Sequence, residues 1–123
     1  MPSKHTILVI DDDQKLCRTL AQILRRAGFS VITAIQLSQA HRYLYLRSFD
    51  LIIIDSNSLD QAGLDRVQEL HCLFSSIPII LITNFPLDDP SLTARQIGVC
   101  SYLVKPIDPA SILACVDEIL VHQ

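Results

Sequence analysis

Short apolar segments alternate with helically patterned segments along the whole chain. Five of the apolar segments lie at 6–10, 30–34, 51–55, 79–82 and 101–104. Runs this short, with apolar residues on both faces, are typical of strands buried in a parallel sheet. The second run, Ser-Val-Ile-Thr-Ala, is more polar, so we expect it at an edge of the sheet, with 51–55 at the centre.

The segments between the strands carry apolar residues with the period of an α-helix. Asp13 is predicted to cap the first helix and Gly28 to end it. Pro90 opens a short helix over 91–97, and Asp108 caps a last one. Apolar positions at helical spacing indicate a second and a third helix: Leu37, Ala40 and Leu44, then Leu64, Val67, Leu70 or His71, and Phe74. Five strands alternating with five helices predict an α/β fold, a parallel sheet covered on both faces.

Composition supports one folded domain over 1–123. Residues are 50% apolar and 19% charged, which favours a packed globule over a disordered chain. A net charge of -3 gives no case for direct binding to nucleic acid, and the one adjacent basic pair, Arg25-Arg26, lies at a predicted helix end.

The sequence shows no targeting signal, and its cysteine spacing indicates no zinc site. No apolar run approaches the ~20 residues of a membrane span, and the first residues lack a signal-peptide core, so we expect no membrane contact and a cytoplasmic location. The four cysteines lack zinc-site spacing. Cys17, Cys100 and Cys115 are expected to be reduced core thiols, since apolar residues surround them in the sequence.

Polar residues stand at the carboxyl ends of the predicted strands: Asp11 and Asp12, Asp55, Thr83, and Lys105. Ligands of open α/β sheets bind at this edge. If the first and third strands are neighbours, three carboxylates converge and raise one another's pKa. Oxygen ligands without Cys or His suit Mg²⁺, which relieves that repulsion. With a cation and a hydroxyl donor nearby, the set favours phosphoryl transfer to Asp55; taken alone, Asp55 fits a turn or helix cap equally well.

Four motifs resemble the receiver domain of bacterial two-component response regulators, the CheY-like family. They are Ile-Leu-Val-Ile-Asp-Asp-Asp, Asp-Leu-Ile-Ile-Ile-Asp, Pro-Ile-Ile-Leu-Ile-Thr and Ser-Tyr-Leu-Val-Lys-Pro. Each is weak singly, but their order and spacing together are specific, and the resemblance covers about 4–120. It implies a flavodoxin-like, doubly wound sheet of five parallel strands in the order 2-1-3-4-5, with five helices.

The resemblance also implies a role for individual residues at the strand ends. Asp55 corresponds to the phosphoacceptor and Asp12 to a direct Mg²⁺ ligand, with Asp11 acting through water. The backbone carbonyl of Asn57 completes the metal site. Lys105 corresponds to the lysine that contacts the phosphoryl group.

Two further positions resemble the family's switch. The Thr83 hydroxyl is expected to move towards the phosphoryl group, and Tyr102 to turn inward on activation. For Tyr102, the alternative is an ordinary half-buried aromatic residue of a strand. Pro106 occupies a position where the family commonly has a cis peptide.

The partners that the resemblance implies are a histidine kinase or a histidine phosphotransfer protein. The domain is then a signalling phosphoacceptor that promotes its own phosphorylation and dephosphorylation, not an enzyme with a separate substrate. It would act on an unidentified output domain or protein, and a homodimer through the helix over 91–97, the fifth strand and the last helix is also implied. The last helix carries Asp117 and Glu118 without Arg or Lys, which disfavours the salt-bridged dimer of similar winged-helix transcription regulators.

Three positions depart from the family pattern, and two other functions stay open. Leu59 stands where proline is usual, Asn84 where a small residue is usual, and Phe85 two residues past Thr83, where it is expected to shield an acyl phosphate from water. The first alternative is a pseudo-receiver, a protein-binding module that works without phosphorylation. The second, a flavodoxin-like FMN domain, is disfavoured because three consecutive aspartates at 11–13 would repel a phosphate.

Overall fold

The computed structural model describes residues 5–56, 61–84 and 98–120, with the side chains at 56 and 61–64 left out of that description. All five predicted strands are present: β1 (Thr6–Ile10), β2 (Ser30–Ala34), β3 (Leu51–Ser56), β4 (Ile79–Thr83) and β5 (Ser101–Val104). The described residues also form four helices: α1 (Gln14–Arg26), α2 (Leu37–Leu46), α3 (Gln61–Leu73) and α4 (Pro109–Leu120). The helix predicted over 91–97 lies outside the described residues.

The strands form one parallel sheet in the order β2-β1-β3-β4-β5, as the resemblance implied. β2 is an edge strand and β3 is central, so both positions predicted from polarity are confirmed. In register, Ile10 lies beside Ile54, and Asp55 lies beside Ile82. This α/β, flavodoxin-like arrangement brings the carboxyl ends of β1 and β3 together at one edge of the sheet.

The sheet is covered on both sides because successive strand residues point to opposite faces. On one face, strand residues such as Leu8 and Ile52 pack against buried residues of α2 and α3: Ala40, Leu44, Val67 and Leu70. On the other face, residues such as Val9 and Ile53 pack against α1 and α4: Cys17, Leu20, Ala21, Leu24, Ile112 and Val116. The polar chemistry is thereby confined to the ends of the strands.

The ends of α1 form as predicted. The Asp13 side chain accepts hydrogen bonds from the backbone N–H groups of Lys15, at 3.0 Å, and Leu16, at 3.2 Å. At the other end, Gly28 has a φ of 100°, a left-handed conformation that costs glycine little. The N-cap orients the first turn of α1 directly after the acidic residues that follow β1.

Gly98 leads into β5 and has a φ of 84°. A Cβ atom at this position would collide with the His71 ring of α3, and the left-handed φ disfavours a side chain as well, so glycine suits this position. This contact fixes the start of the strand whose other end carries Lys105.

The expected cysteine environments are only partly right. Cys17 is buried and Cys115 half-buried, but Cys100 is exposed. Its backbone N–H donates to Ile79 O at 2.8 Å just before the edge strand β5. In the part of the chain that the structure describes, no helix is long and apolar enough to cross a membrane.

Candidate functional site

The strand register alone places the candidate site residues near one another at one edge of the sheet. Because Ile10 and Ile54 are partners, Asp11 and Asp55 follow them side by side. Thr83 ends β4 beside residue 56, and Lys105 directly follows Val104, the partner of Thr83. The backbone N–H of Lys105 donates to Thr83 O at 2.8 Å, extending the pairing past the end of β5.

Lys105 and Asp55 form a buried ion pair. Nζ of Lys105 lies 2.7 Å from Oδ2 of Asp55, and the two side chains are 17% and 1% exposed. Since β4 separates β5 from β3, the lysine and aspartate side chains together bridge two strand spacings, about 10 Å. The long flexible stem of lysine suits this reach, and the pair holds the phosphoacceptor candidate in place.

Asp11 is the second buried carboxylate, 1% exposed. Its Oδ1 accepts a hydrogen bond from the Asp13 N–H at 2.9 Å. Among the described residues, Oδ2 of Asp11 and Oδ1 of Asp55 have no hydrogen-bond donor. A buried acceptor without a donor is costly, and pairs of such oxygens at a functional edge indicate a ligand.

These environments change the acidity of both groups. Burial raises the pKa of Asp11 to about 7, with the charge of Asp55 adding to the effect and the Asp13 N–H opposing it. Burial also raises the pKa of Asp55, against the lowering effect of Lys105. The predicted rise is confirmed, but burial contributes more than the mutual repulsion that the sequence suggested.

The remaining predicted residues occupy different surroundings. Asp12 is exposed at the mouth of the site, Thr83 is fully buried, and Tyr102 is half-buried and packs against the core on the α2–α3 side. The Lys105–Pro106 peptide is cis, as the resemblance implied. Asn57 lies outside the described residues.

A cleft of about 310 Å³ opens beside the carboxylates. Asp11, Asp12 and Asp55 line it together with Gln36 and Arg66, two residues that the sequence interpretation missed. Its apolar lining comes from the carboxyl ends of β1 and β3 and from the start of α2: Ile10, Ile35, Leu37 and Ile54, with Val67 of α3. Arg66, exposed on α3, brings a positive charge to the lining of the cleft.

The donor set suits a hard cation such as Mg²⁺, although no three acidic, His or Cys side chains of the described residues already surround a common point. Mg²⁺ needs only one or two carboxylates and keeps several waters. The unpaired Oδ2 of Asp11 is an oxygen of that kind, and the Asp55 carboxylate follows the neighbouring strand beside it. The residues present therefore fit the ion.

Known proteins resemble this chain in sequence and in fold. The transcriptional regulatory protein ZraR of Escherichia coli O157:H7 is 31% identical over 116 residues, which are 94% of this chain and 26% of ZraR. The chain thus spans about a quarter of the length of the curated relatives it matches. The remainder of each relative lies outside the matched residues.

Solved structures agree over nearly the whole chain. A two-component response regulator from Clostridium difficile has a TM-score of 0.84 at 27% identity, covering 95% of this chain and 96% of that one. A CheY-like receiver domain protein from Methanospirillum hungatei JF-1 has a TM-score of 0.82 at 25% identity, covering 94% and 93%. The family model of the response regulator receiver domain matches residues 7–117, and the chain belongs to that family.

Proposed function

We propose that this receiver domain accepts a phosphoryl group on Asp55 from the phosphohistidine of a histidine kinase or phosphotransfer protein, with Mg²⁺ bound. The observation that carries the proposal is the state of the Asp55 carboxylate. It is buried, one oxygen is held by Lys105, and the other has no hydrogen-bond donor among the described residues. An aspartate that only starts a turn or caps a helix is normally exposed to water or has hydrogen-bond donors for its carboxylate oxygens.

The proposed reaction follows from that asymmetry. Oδ1 of Asp55 forms a bond to phosphorus while the phosphorus–nitrogen bond of the donor breaks, and its electron pair goes to the imidazole nitrogen. Lys105 holds Oδ2, which fixes the direction of attack. As the carboxylate becomes an acyl phosphate, the ammonium group is close enough to pair with the new phosphoryl oxygens.

The metal is proposed to be held at the carboxylate edge. Asp11, Asp12 and Asp55 supply the side-chain oxygens, and the backbone carbonyl of Asn57 remains a prediction outside the described residues. Bound there, Mg²⁺ neutralises negative charge on the phosphoryl oxygens. Without a bound cation the carboxylates would repel an anionic phosphodonor, so phosphorylation is expected to require the metal.

The output of phosphorylation is proposed to pass through Thr83 and Tyr102. Thr83 is buried at the end of β4, and Tyr102 is in the neighbouring strand, where Leu81 is its register partner. A shift of the threonine hydroxyl towards the phosphoryl group frees space that the half-buried tyrosine can enter. A partner reads the change only if it binds the two forms with different affinity. That partner is an output domain or a separate protein.

The chain does not act as an enzyme in this proposal, because the group it modifies is its own aspartate. The alternative is a pseudo-receiver that binds a partner without phosphorylation. The raised pKa of Asp11 gives that alternative its one supporting observation, since it disfavours a fully ionised site at neutral pH when no cation is bound.

Intact-mass measurement after incubation with acetyl phosphate separates the two functions. We expect one phosphoryl adduct that requires Mg²⁺ and is absent in Asp55→Asn. Asp50→Asn is the matched control, because Asp50 lies at the other end of β3 and should leave the adduct unchanged. Absence of both the adduct and Mg²⁺ binding in the unsubstituted protein would establish the pseudo-receiver instead.

A further inference from the structure

Large apolar side chains are exposed together at the C-terminal ends of α2 and α3. Tyr45 is 71% exposed, Leu46 74% and Leu73 51%. Phe74 lies between the two helices, with its ring centroid 5.4 Å from that of Tyr45 and 6.1 Å from that of His41. We call Tyr45, Leu46, Leu73 and Phe74 the α2–α3 patch.

The fold does not need this patch to close its core. α2 and α3 already bury Ala40, Leu44, Val67 and Leu70 against the sheet. Leaving these apolar side chains in water is unfavourable, and covering them would stabilise a complex. Scattered exposed leucines are common in proteins, but here Leu46 and Leu73 end the two helices, the aromatic residues beside them, Tyr45 and Phe74, are in ring contact, and such a grouping is typical of an interaction surface.

Opposite charges flank the two sides of the patch. Arg42 lies one helical turn before Leu46 on α2, and Glu69 lies one turn before Leu73 on α3, so each exposed leucine shares a helix stripe with a charge. Arg47, directly after α2, adds a second cation on the same side. All three charged residues are exposed. Beside the patch, α2 therefore presents Arg42 and Arg47, and α3 presents Glu69, with Arg66 one turn further from Leu73.

A second copy of this chain has the complementary surface. A two-fold rotation about an axis along the seam between α2 and α3 lays α2 of each copy against α3 of the other. The apolar residues then meet at the centre, and Arg42 of one copy faces Glu69 of its partner twice over. This is the self-complementary pattern of an isologous interface, apolar inside and charged at the rim. We propose that the chain forms a homodimer through the α2–α3 patch.

The apolar centre of the proposed dimer lies away from the phosphorylation site. Crossover helices run antiparallel to the strands, so the C-terminal ends of α2 and α3 lie at the amino edge of the sheet, far from Asp55. The surface also differs from the dimer face that the family resemblance implies. The proposal holds whether or not Asp55 is phosphorylated.

Charge reversal in solution tests the proposal. Sedimentation of the full 123-residue chain over a range of concentrations should show a monomer–dimer equilibrium. Arg42→Glu and Glu69→Arg should each weaken the dimer about tenfold or more, because each places like charges together twice. The double variant should restore the dimer, since it exchanges the signs. Arg26→Glu on α1 changes net charge equally and should have no effect.

The pattern of rescue decides the outcome. Restored dimerisation in the double variant, with unchanged far-ultraviolet circular dichroism in all variants, would establish the interface. A wild-type chain that stays monomeric at every concentration overturns the proposal, as does a dimer that neither single reversal weakens. Leu46→Glu gives a second reading that does not depend on ion pairs, and a dimer that tolerates it likewise overturns the proposal.

Discussion

An aspartate stands at each end of β3, and the two have opposite environments. Asp50, just before the strand, is 48% exposed, accepts a hydrogen bond from the Thr6 N–H at 2.8 Å and lies 3.7 Å from Nδ1 of His5. Its own N–H donates to Thr6 O, also at 2.8 Å. Asp55, five residues later, is 1% exposed and shares its pocket with a second buried carboxyl, Asp11.

The difference shows how one strand serves both structure and chemistry. Asp50 stabilises the fold by tying the start of β1 to the start of β3. Asp55 makes the fold less stable, because its carboxyl is buried with too few donors for its oxygens. The second arrangement lies at the edge of the sheet where a ligand can supply the missing partner, which is where open α/β sheets bind their ligands.

The largest expected effect concerns the stability of the metal-free protein against pH. Burial raises the pKa of Asp11 from 3.8 to about 7, so the protonated form favours folding. That contribution is fully present below about pH 4 and is lost as pH rises through 7. The free energy of unfolding, measured in urea, should therefore fall by a few kcal/mol between pH 5 and 8.

Two controls support that interpretation. Asp11→Asn should flatten the profile, and Asp50→Asn should not. The pKa of Asp108 is lowered by its hydrogen bonds from Ser111, so its opposite contribution is lost only below pH 3.8 and leaves this window unaffected. A wild-type profile that is flat from pH 5 to 8 would contradict the prediction.

A smaller effect is expected from removing the cation beside Asp55. Lys105→Met should slow phosphorylation by acetyl phosphate about 100-fold, because the developing charge then loses a preorganised partner. The same substitution at Lys15, exposed on α1, is the control and should leave the rate unchanged. Adduct formation followed by intact mass gives both rates, and equal rates would refute the role of Lys105.

At the other end of β3, Asp50→Ala should lower the free energy of unfolding by about 1 kcal/mol, the usual contribution of one such hydrogen bond. Asp50→Asn keeps an acceptor for the Thr6 N–H and should lose less. Neither should alter the rate of phosphorylation. If Asp50→Ala changed that rate, the separation between the two ends of the strand would fail.

The smallest effect is expected at the mouth of the cleft. Arg66→Ala should slow phosphorylation by acetyl phosphate about threefold, since an exposed cation attracts an anionic donor only weakly. The effect should shrink as salt is added. Arg18→Ala on α1 serves as the matched control, and a salt-independent loss would assign Arg66 a structural role instead.

The strands could be predicted because each is a short run of mostly apolar residues. The predicted edge position of β2 followed from Ser30 and Thr33, and the site followed from Asp11, Asp55 and Lys105 standing directly after such runs. These are local signals. They survive folding because in a parallel sheet all carboxyl ends meet at one edge.

What the sequence did not show depends on how helices dock. Gln36 and Arg66 reach the cleft only because α2 and α3 pack at particular rotations, and no short-range pattern encodes that. Cys100 was expected in the core because apolar residues surround it, yet exposure is decided by what covers β5. The size of the burial effect on Asp11 likewise depends on neighbours from β2 and β3.

The buried, incompletely paired carboxyls also affect how this domain responds to selection. Replacing Asp11 by asparagine removes a buried carboxyl and leaves the Lys105–Asp55 ion pair intact, so we expect this variant to unfold at a higher temperature than the parent. A library screened for heat resistance alone would therefore accumulate variants that are more stable but no longer signal. Engineering a sturdier version requires that signalling be scored in the same round as melting temperature.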